Sequence, residues 1–361
     1  MRILVLTTEA FGGRGGIAKY NRDMLNALCA MPGCKEVIAV PRIMPDTAEP
    51  TPPNLTYITS GLGGKWRYLR AALGAATERY DLVLCGHINL LPLAWLAQVW
   101  SRAPLALMLY GIDAWQPHRD NLVRRLVRRV DAAFSISRVT ARKFSAWSGV
   151  AEESIAILPN AIELEKYGVG PKRPDILARH GFEGKIVLMT FGRLSRDERY
   201  KGVDEMLEAM PNLLKNRPNL AYLVAGDGDD RPRLESKARE LGVGSSVIFT
   251  GYLPEAEKAD YYRLADAYVM PSRGEGFGFV FLEAMACGIP TVAGTLDGGR
   301  EALLDGKLGI LVNPDKPGEL QAGILAALDW PRGIPLGLEY FAFPNFTVRM
   351  QAAVMTVMKK H

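Results

Sequence analysis

Short apolar runs alternate with helix-length segments along the whole chain, and this alternation restricts the possible folds more than any other feature. Candidate strands lie at residues 3–6, 36–40, 82–85, 105–109, 132–136 and 155–158, and again at residues 186–190, 221–225, 247–250, 267–270, 291–293 and 309–312. Continuous runs of valine, isoleucine and leucine are typical of parallel strands that helices cover on both faces. The two sets therefore predict an α/β protein with two doubly wound, Rossmann-like domains.

A segment rich in glycine, proline and basic residues, residues 167–174, separates the two sets of strands. We expect a first domain over residues 1–168 and a second over residues 169–344. Ligands of open parallel sheets bind outside the carboxyl ends of the strands. Two such domains facing each other would therefore place the active site in a cleft between them.

The most informative motif lies at residues 271–290, where a glycine-rich loop leads into a predicted helix over residues 279–287 that Gly288 and Pro290 end. Free backbone N–H groups and the helix dipole make such a helix start a site for an anion, typically a phosphate. Glu275 in the loop and Glu283 in the helix can accept hydrogen bonds from hydroxyls on either side of the phosphates. A sugar nucleotide has that layout, although two solvated glutamates beside ordinary turns are the simpler alternative.

This run resembles the E-x7-E segment of the family 4 retaining glycosyltransferases, which have the GT-B fold. The resemblance implies that Glu275 contacts the donor sugar and that Glu283 binds the ribose. It extends the donor-binding set along the loop and the helix start to Gly276, Phe277, Gly278, Phe279 and Val280.

A second match follows the first strand of the second domain, where Gly-Arg193-Leu and Lys201-Gly resemble the phosphate clamp of the family. An arginine offers a diphosphate a fork of donors, and a lysine offers it a point charge. On spacing alone, two surface cations would be the better interpretation. Nucleobase contacts in this fold are largely made by the backbone, and we expect them around Leu253.

Residues 158–163, Leu-Pro-Asn-Ala-Ile-Glu, are similar to the interdomain segment of the family. In the GT-B fold the last helix crosses back onto the first domain. A helix over residues 346–360, within the terminal stretch 345–361, is the candidate for that crossover.

In the first domain, Gly15 and Gly16 precede a predicted helix over residues 17–29 and let the backbone approach the donor phosphates or the acceptor. The same glycine loop fits a dinucleotide fingerprint. An NAD site would also need an acidic residue at the end of the second strand, where Pro41 and Arg42 lie. NAD is therefore disfavoured, and an NADP site through Arg42 is a distant alternative.

His87 and Asp113 follow candidate strands, as do a histidine and an H-G-x-[DE] segment in the family. Tyr110 stands where that segment usually has histidine, which leaves Asp113 as the candidate base or orienting carboxylate for the acceptor. For His87, a packed loop histidine is an equal alternative, and Ser137 matches a weaker family position. The catalytic candidates are Arg193, Lys201, Glu275, His87 and Asp113.

Four further features limit the partners. The aspartates at 227, 229 and 230 resemble a turn of the family and should lie on the surface, so we expect no metal and no cofactor. The four cysteines, none in CxxC spacing, indicate buried free thiols of a reducing cytoplasm. No apolar run is long enough to span a membrane, and no nucleic-acid motif accompanies the net charge of +5. Two basic clusters stand out, one around Trp66 and one whose members share a helical face, at Arg124, Arg125, Arg128 and Arg129. They favour either solvated helix faces or docking on an anionic membrane, at the inner face of the cell membrane.

The resemblance implies a metal-independent, retaining hexosyltransferase of polysaccharide or glycolipid biosynthesis. The expected partners are a nucleotide-sugar donor, with UDP-glucose or a related UDP-hexose ahead of GDP-mannose, and a glycan or lipid-linked sugar acceptor. A sugar-nucleotide epimerase or hydrolase on the same fold and a non-catalytic sugar-nucleotide-binding module remain as alternatives.

Overall fold

The computed structural model describes residues 1–47 and 49–359 and divides into two compact units. The first unit comprises Met1–Ala161 with Phe343–His361, and the second comprises Ile162–Ala342. The divisions fall a few residues before the boundaries expected after residues 168 and 344. Residues 360 and 361 of the expected terminal stretch lie outside the described residues.

The first unit is built on a parallel sheet in the order β3-β2-β1-β4-β5-β6-β7. Its strands are β1 (Arg2–Thr7), β2 (Glu36–Pro41), β3 (Leu55–Tyr57), β4 (Leu82–Cys85), β5 (Leu105–Leu109), β6 (Ala132–Ser135) and β7 (Ile155–Ile157). The helices between them are α1 (Gly15–Cys29), α2 (Lys65–Ala76), α3 (Leu91–Ser101), α4 (Ile112–Trp115), α5 (Asn121–Val127) and α6 (Arg138–Ser148). The central strands β1, β4 and β5 are buried along almost their whole length, as continuous apolar runs predict for a sheet covered on both faces.

The second unit repeats this plan with a parallel sheet in the order β10-β9-β8-β11-β12-β13. Its strands are β8 (Ile186–Phe191), β9 (Leu220–Ala225), β10 (Val247–Gly251), β11 (Ala267–Met270), β12 (Thr291–Gly294) and β13 (Ile310–Val312). Its helices are α7 (Pro174–His180), α8 (Val203–Asn216), α9 (Arg231–Glu240), α10 (Glu255–Leu264), α11 (Phe279–Ala286), α12 (Gly299–Ala302) and α13 (Pro317–Leu328). The strand order reverses beside β8 and β11, and Arg193, Lys201 and Glu275 lie in the segments that follow these two strands.

The last helix, α14 (Phe343–Met358), belongs to the first unit and packs against α1. The rings of Tyr20 and Phe346 meet edge to face at 5.5 Å. The helix begins three residues before the predicted start at residue 346. Short 3-10 helices occupy Thr59–Gly61, Ile88–Leu90, Glu152–Ser154, Leu164–Lys166, Arg196–Lys201, Gly244–Ser246, Leu304–Gly306 and Leu338–Phe341.

Every predicted strand has a counterpart, and the sequence reasoning missed only β3 among the strands of the described residues. That strand has three residues, lies at the edge of its sheet and is only partly buried. Such a strand carries little of the hydrophobic signal that marks the central ones. The four cysteines are free, as expected, but Cys34 is only half-buried, so the expectation of burial is wrong for it.

Candidate functional site

The glycine-rich loop leads from β11 to the start of α11, as the sequence predicts. Gly278, just before the helix, has a φ of +90°, and a Cβ added there would lie 2.7 Å from the ring of Phe281. Only glycine fits that position without strain. The first turn of α11 therefore begins directly at the loop, and the N–H of Phe281 donates to the carbonyl of Gly278 at 3.3 Å.

Glu275 is held in the loop through its backbone. Its N–H donates to Oδ2 of Asp297 at 2.7 Å, and its carbonyl accepts from the N–H of Gly298 at 2.9 Å. Asp297 is fully buried and also accepts from the N–H of Gly299 at 2.9 Å. Burial raises the pKa of the half-buried Glu275, against the opposing effect of the Lys201 ammonium. The backbone of Glu275 is therefore held by hydrogen bonds on both sides, and this fixes where the loop places its carboxylate.

Arg193 and Lys201 converge on one carboxylate, that of Glu198. The Lys201 ammonium lies 2.6 Å from Oε2 of Glu198, and the Arg193 guanidinium pairs with Oε1. Burial would raise the pKa of Glu198, but the two cations outweigh it and the pKa is lowered. The Arg193 side chain is 71% exposed, so it can reach a ligand. The structure thus brings the two predicted clamp residues together around an anion that belongs to the chain itself.

Glu283 is fully buried in α11, beside two side chains of α10. The Lys258 ammonium lies 2.8 Å from each carboxylate oxygen, and the Tyr262 hydroxyl donates to Oε2 at 2.8 Å. Burial would lower the pKa of Lys258, but Glu283 raises it above its ordinary value. The sequence analysis selected Glu283 and missed the cation paired with it.

The side chains of the other predicted donor residues lie mostly in the core. Phe277 packs on Phe341 with ring centroids 5.4 Å apart, and Phe279 and Leu253 are each 8% exposed. Gly276 is buried and Val280 is half-buried. Any contact these buried residues make with a ligand would have to come from their backbone.

In the first unit, α1 begins at Gly15, two residues earlier than predicted. Gly15 has a φ of +83°, and no heavy atom lies within 4 Å of the position that its Cβ would occupy. Gly15 and Gly16 are both exposed. The start of α1 therefore offers accessible backbone N–H groups, as an anion-binding site would require.

His87 caps the 3-10 helix Ile88–Leu90, because its Nδ1 accepts from the N–H of Asn89 at 3.1 Å. Burial, together with the charges of Arg42 and His118, lowers the pKa of His87 to about 4. The imidazole is therefore neutral near pH 7, with its proton on Nε2. It can donate a hydrogen bond to a ligand, whereas its Nδ1 is occupied.

Asp113 lies in the first turn of α4, and its Oδ2 is buried without a hydrogen-bond partner among the described residues. Burial raises the pKa of Asp113 to about 7, against hydrogen bonds from nearby backbone N–H groups. Tyr110 does not replace the missing imidazole, because its buried hydroxyl donates to Oδ1 of Asn21 at 2.6 Å. Asp113 is therefore poised to exchange a proton near neutral pH.

Ser137 is a structural residue. It is fully buried at the N-cap of α6, where its Oγ accepts from the N–H of Thr140 at 3.2 Å and donates to the Thr140 hydroxyl at 2.9 Å. A serine in that role completes the first turn of the helix. Nothing in its geometry points to a ligand.

The aspartates after β9 form a turn, but the expectation that they all lie on the surface is wrong for Asp230. It is 2% exposed and accepts hydrogen bonds from the guanidinium groups of Arg199 and Arg233. Within residues 1–47 and 49–359 there is no group of three acidic, histidine or cysteine side chains placed to hold a metal. Metal independence stays a prediction.

The basic cluster of the first unit is only partly helical. Arg124 and Arg125 lie on α5, but the helix ends at Val127, so Arg128 and Arg129 follow it. The expectation of one helical face is therefore wrong for the last two, although all four arginines are exposed. No helix of the described residues is long and apolar enough to cross a bilayer.

Four residues of the site escaped the sequence analysis: Glu198, Lys258, Tyr262 and Asp297. Asp297 precedes two glycines and a short helix, a pattern that could have marked it. Glu198 lies in a charged insert that gave no preference among its members. The i, i+4 spacing of Lys258 and Tyr262 places them on one helical face but does not reveal what they face.

Two family models match the chain. Residues 172–332 match "Glycosyl transferases group 1", and residues 15–161 match "Glycosyl transferase 4-like domain". A GDP-mannose-dependent alpha-(1-6)-phosphatidylinositol monomannoside mannosyltransferase from Mycolicibacterium smegmatis is 32% identical over 53% of this chain and 51% of its own length. A D-inositol 3-phosphate glycosyltransferase from Nocardiopsis dassonvillei is 31% identical over 70% of this chain and 63% of its own length. The match thus spans about half the length of the first relative.

Solved structures share the architecture. Anabaena Alr3699/HepE in complex with UDP and glucose has a TM-score of 0.71 and 21% identity, covering 100% of this chain and 98% of its own. Sucrose-phosphate synthase from Thermosynechococcus elongatus has a TM-score of 0.74 and 20% identity, covering 100% and 97%. Identities this low show the fold alone. With family models matching both units, the chain belongs to the family 4 glycosyltransferases and has the GT-B fold.

Proposed function

We propose that the chain is a retaining hexosyltransferase that moves a hexose from a nucleoside diphosphate sugar to an acceptor hydroxyl. The observation that carries this proposal is the convergence of Arg193 and Lys201 on one carboxylate, next to the Glu275 loop. Two cations that share one anion of the chain are spaced to share one anion of a ligand. A diphosphate would replace Glu198 between them.

Different residues of the second unit bind the diphosphate, the hexose and the ribose of the donor. Arg193, Lys201 and the start of α11 stabilise the leaving diphosphate, whose negative charge grows as the glycosidic bond breaks. Glu275 accepts hydrogen bonds from hexose hydroxyls, and Glu283 accepts from the ribose. The loop must also expose its backbone to the ligand, which fits the burial of the Phe277 and Phe279 side chains.

The transfer step is the one that the resemblance to retaining enzymes implies. The bond from the anomeric carbon to the diphosphate oxygen breaks, and the electron pair leaves with the diphosphate. The acceptor oxygen bonds to the same face of the sugar, which retains the configuration, and its proton passes to the departing phosphate oxygen. In the first unit Asp113 orients the acceptor hydroxyl and His87 donates a hydrogen bond from Nε2.

Two donors merit direct comparison. The sequence favours UDP-glucose or a related UDP-hexose, and the name of the Mycolicibacterium smegmatis relative adds weight to GDP-mannose. We propose no metal in the reaction, since the two clamp cations supply the charge that a metal would bring.

A thermal-shift experiment tests the donor site with UDP, GDP, ADP, their hexose conjugates and NADPH, each with and without EDTA. A ligand that binds only the folded state raises the melting temperature. We expect one nucleoside diphosphate to stabilise the protein equally with and without EDTA, and Arg193→Ala to abolish the shift. NMR of the product then reports the anomeric configuration. Stabilisation by NADPH alone, or consumption of donor without transfer, would refute the proposal.

We also propose that the first unit docks on an anionic membrane, where a lipid-linked acceptor would reside. Helix α3 packs against both α2 and α5, so the three helices form one layer. Trp66 on α2 is 76% exposed and Trp100 on α3 is 68% exposed, and the exposed Arg124 and Arg125 lie on α5. Exposed tryptophans beside cations suit the interface of an anionic bilayer.

Co-sedimentation with phosphatidylcholine vesicles, with and without phosphatidylglycerol, tests this docking. We expect binding only to the vesicles with phosphatidylglycerol, and a loss of binding in the double variant Arg124→Glu, Arg125→Glu. The double variant Arg217→Glu, Arg239→Glu, with both changes in the second unit, makes the same change of charge and should bind normally. Equal binding by both double variants would refute the assignment to this face.

A further inference from the structure

Among the contacts described above, only Lys258 brings a positive charge to the buried carboxylate of Glu283. Its ammonium lies 2.8 Å from both carboxylate oxygens, and 3.6 Å from the carboxylate of Glu255. It also lies 4.9 Å from the centre of the Phe191 ring, at the end of β8. Lys258 therefore contacts helix α11 on one side and, on the other, the end of β8, the strand that precedes the clamp residues.

Exposure distinguishes the two members of the pair. The side chain of Glu283 has no exposed surface, whereas that of Lys258 keeps 12%. The other partner of the carboxylate, the Tyr262 hydroxyl, belongs to a side chain that is itself fully buried. A ligand that approaches the pair therefore meets the lysine before it can reach the glutamate.

The position of Lys258 along the chain indicates which part of a nucleotide it would meet. It lies in the first turns of α10, which begins just after the loop at Leu253, where the nucleobase is expected. Its other neighbour, Phe191, lies two residues before the clamp residue Arg193. The ribose connects the base to the diphosphate, so the residue between those two regions is placed at the ribose.

We propose that Lys258 is a donor-binding residue that forms the ribose subsite together with Glu283. The inference rests on the proposed function, since it concerns the same nucleotide site. Each ribose hydroxyl can both donate and accept a hydrogen bond. The carboxylate accepts from one hydroxyl, and the ammonium donates to the oxygen of the other. A neutral side chain at residue 258 would lose the second bond and would leave a buried carboxylate without its counter-charge.

The test compares the binding of a complete nucleotide with that of a fragment without ribose, by calorimetry. The probes are UDP or GDP, whichever binds the wild-type protein, and inorganic pyrophosphate, which occupies the clamp alone. Lys258→Met should weaken nucleotide binding about tenfold or more, the scale of a hydrogen bond to a charged group, and leave pyrophosphate binding unchanged. Lys258→Arg, which keeps the charge, should recover part of the loss.

Lys237→Met is the matched control. Lys237 is also ion-paired, with Asp204 and Glu208 at 2.6 Å each, but it lies on α9 and outside the proposed site. Its replacement should leave both affinities unchanged. If Lys258→Met does not fold, the double variant Lys258→Met, Glu283→Gln removes both buried charges, and its nucleotide affinity is compared with that of Glu283→Gln alone. Equal affinities of these two variants would refute the role of Lys258.

The outcomes separate this inference from the proposed function. A wild-type protein that binds neither nucleotide refutes the proposed function itself. A wild-type protein that binds a nucleotide, with a Lys258→Met variant of equal affinity, refutes the role of Lys258 alone. A variant that loses affinity for nucleotide and pyrophosphate equally also overturns the inference, because Lys258 would then contact the phosphates.

Discussion

Replacement of Asp113 by asparagine should make the protein more stable, and the gain should depend on pH. Burial raises the pKa of Asp113 from 3.8 to about 7. Its Oδ2 is buried without a hydrogen-bond partner among the described residues. An ionised carboxylate in such a place is unfavourable, and it persists only because the rest of the fold holds it there.

The magnitude follows from proton linkage. A carboxyl group whose folded pKa is raised binds its proton more tightly in the folded state, so stability falls as pH rises through the interval between the two pKa values. Each pKa unit corresponds to about 1.4 kcal/mol, so the interval from 3.8 to about 7 costs roughly 4 kcal/mol above pH 7. Asparagine cannot ionise. We expect the Asp113→Asn variant to gain less than about 1 kcal/mol at pH 4 and roughly 4 kcal/mol at pH 8.

Urea unfolding of the wild type and the variant at several pH values measures this difference. Asp120→Asn is the matched control, because Asp120 is an exposed N-cap that accepts from the N–H of Leu122 at 2.7 Å, and asparagine caps helices equally well. The control should show no gain that grows with pH. A free-energy difference for Asp113→Asn that stays constant from pH 4 to pH 8 would refute the reasoning.

The remaining predictions concern the second unit. Glu198→Gln should tighten the binding of a nucleoside diphosphate several-fold, because the ligand no longer displaces an ion pair, and calorimetry showing weaker binding would contradict this. Gly278→Ala should cost about 1–3 kcal/mol in unfolding free energy, since its Cβ would meet the Phe281 ring at a φ of +90°. Burial would raise the pKa of Asp204, but Arg233 and Lys237 lower it to about 2. Asp204→Asn should therefore lower the unfolding free energy by about 2 kcal/mol above pH 5. Unfolding measurements should show that this difference shrinks from pH 4 towards pH 2.

The sequence predicted the framework of both units because strand burial leaves a strong and local signal. The continuous apolar runs at β1, β4 and β8 correspond to strands that are buried on both faces. The position of α11 could also be predicted from the sequence, because the glycine loop before it and Gly288 after it are local features. Edge strand β3 lacks such a signal, and the sequence reasoning missed it.

Roles that depend on an imidazole or a carboxylate were harder to predict, because the environment decides their protonation. His87 was an open choice between a packed and a functional residue. Its Nδ1 bond to Asn89 holds the ring in place, and burial together with the charges of Arg42 and His118 keeps it neutral. Tyr110 illustrates the opposite case. Its sequence position marks a departure from the family, but only the structure shows that its hydroxyl is bonded to Asn21.

The ionic partners of the predicted site were the hardest residues to predict from the sequence, for a physical reason. Glu283 and Lys258 lie on different helices, and their pairing depends on how α10 packs against α11. Glu198 pairs with Arg193 and Lys201 because the chain between them folds back in a 3-10 helix with non-helical backbone at Glu198 itself. Charge pairs across elements leave no periodic pattern, whereas glycines and helix ends do. In this chain, the motif therefore identifies where the donor should bind, and the packing of the helices determines which charges it would meet.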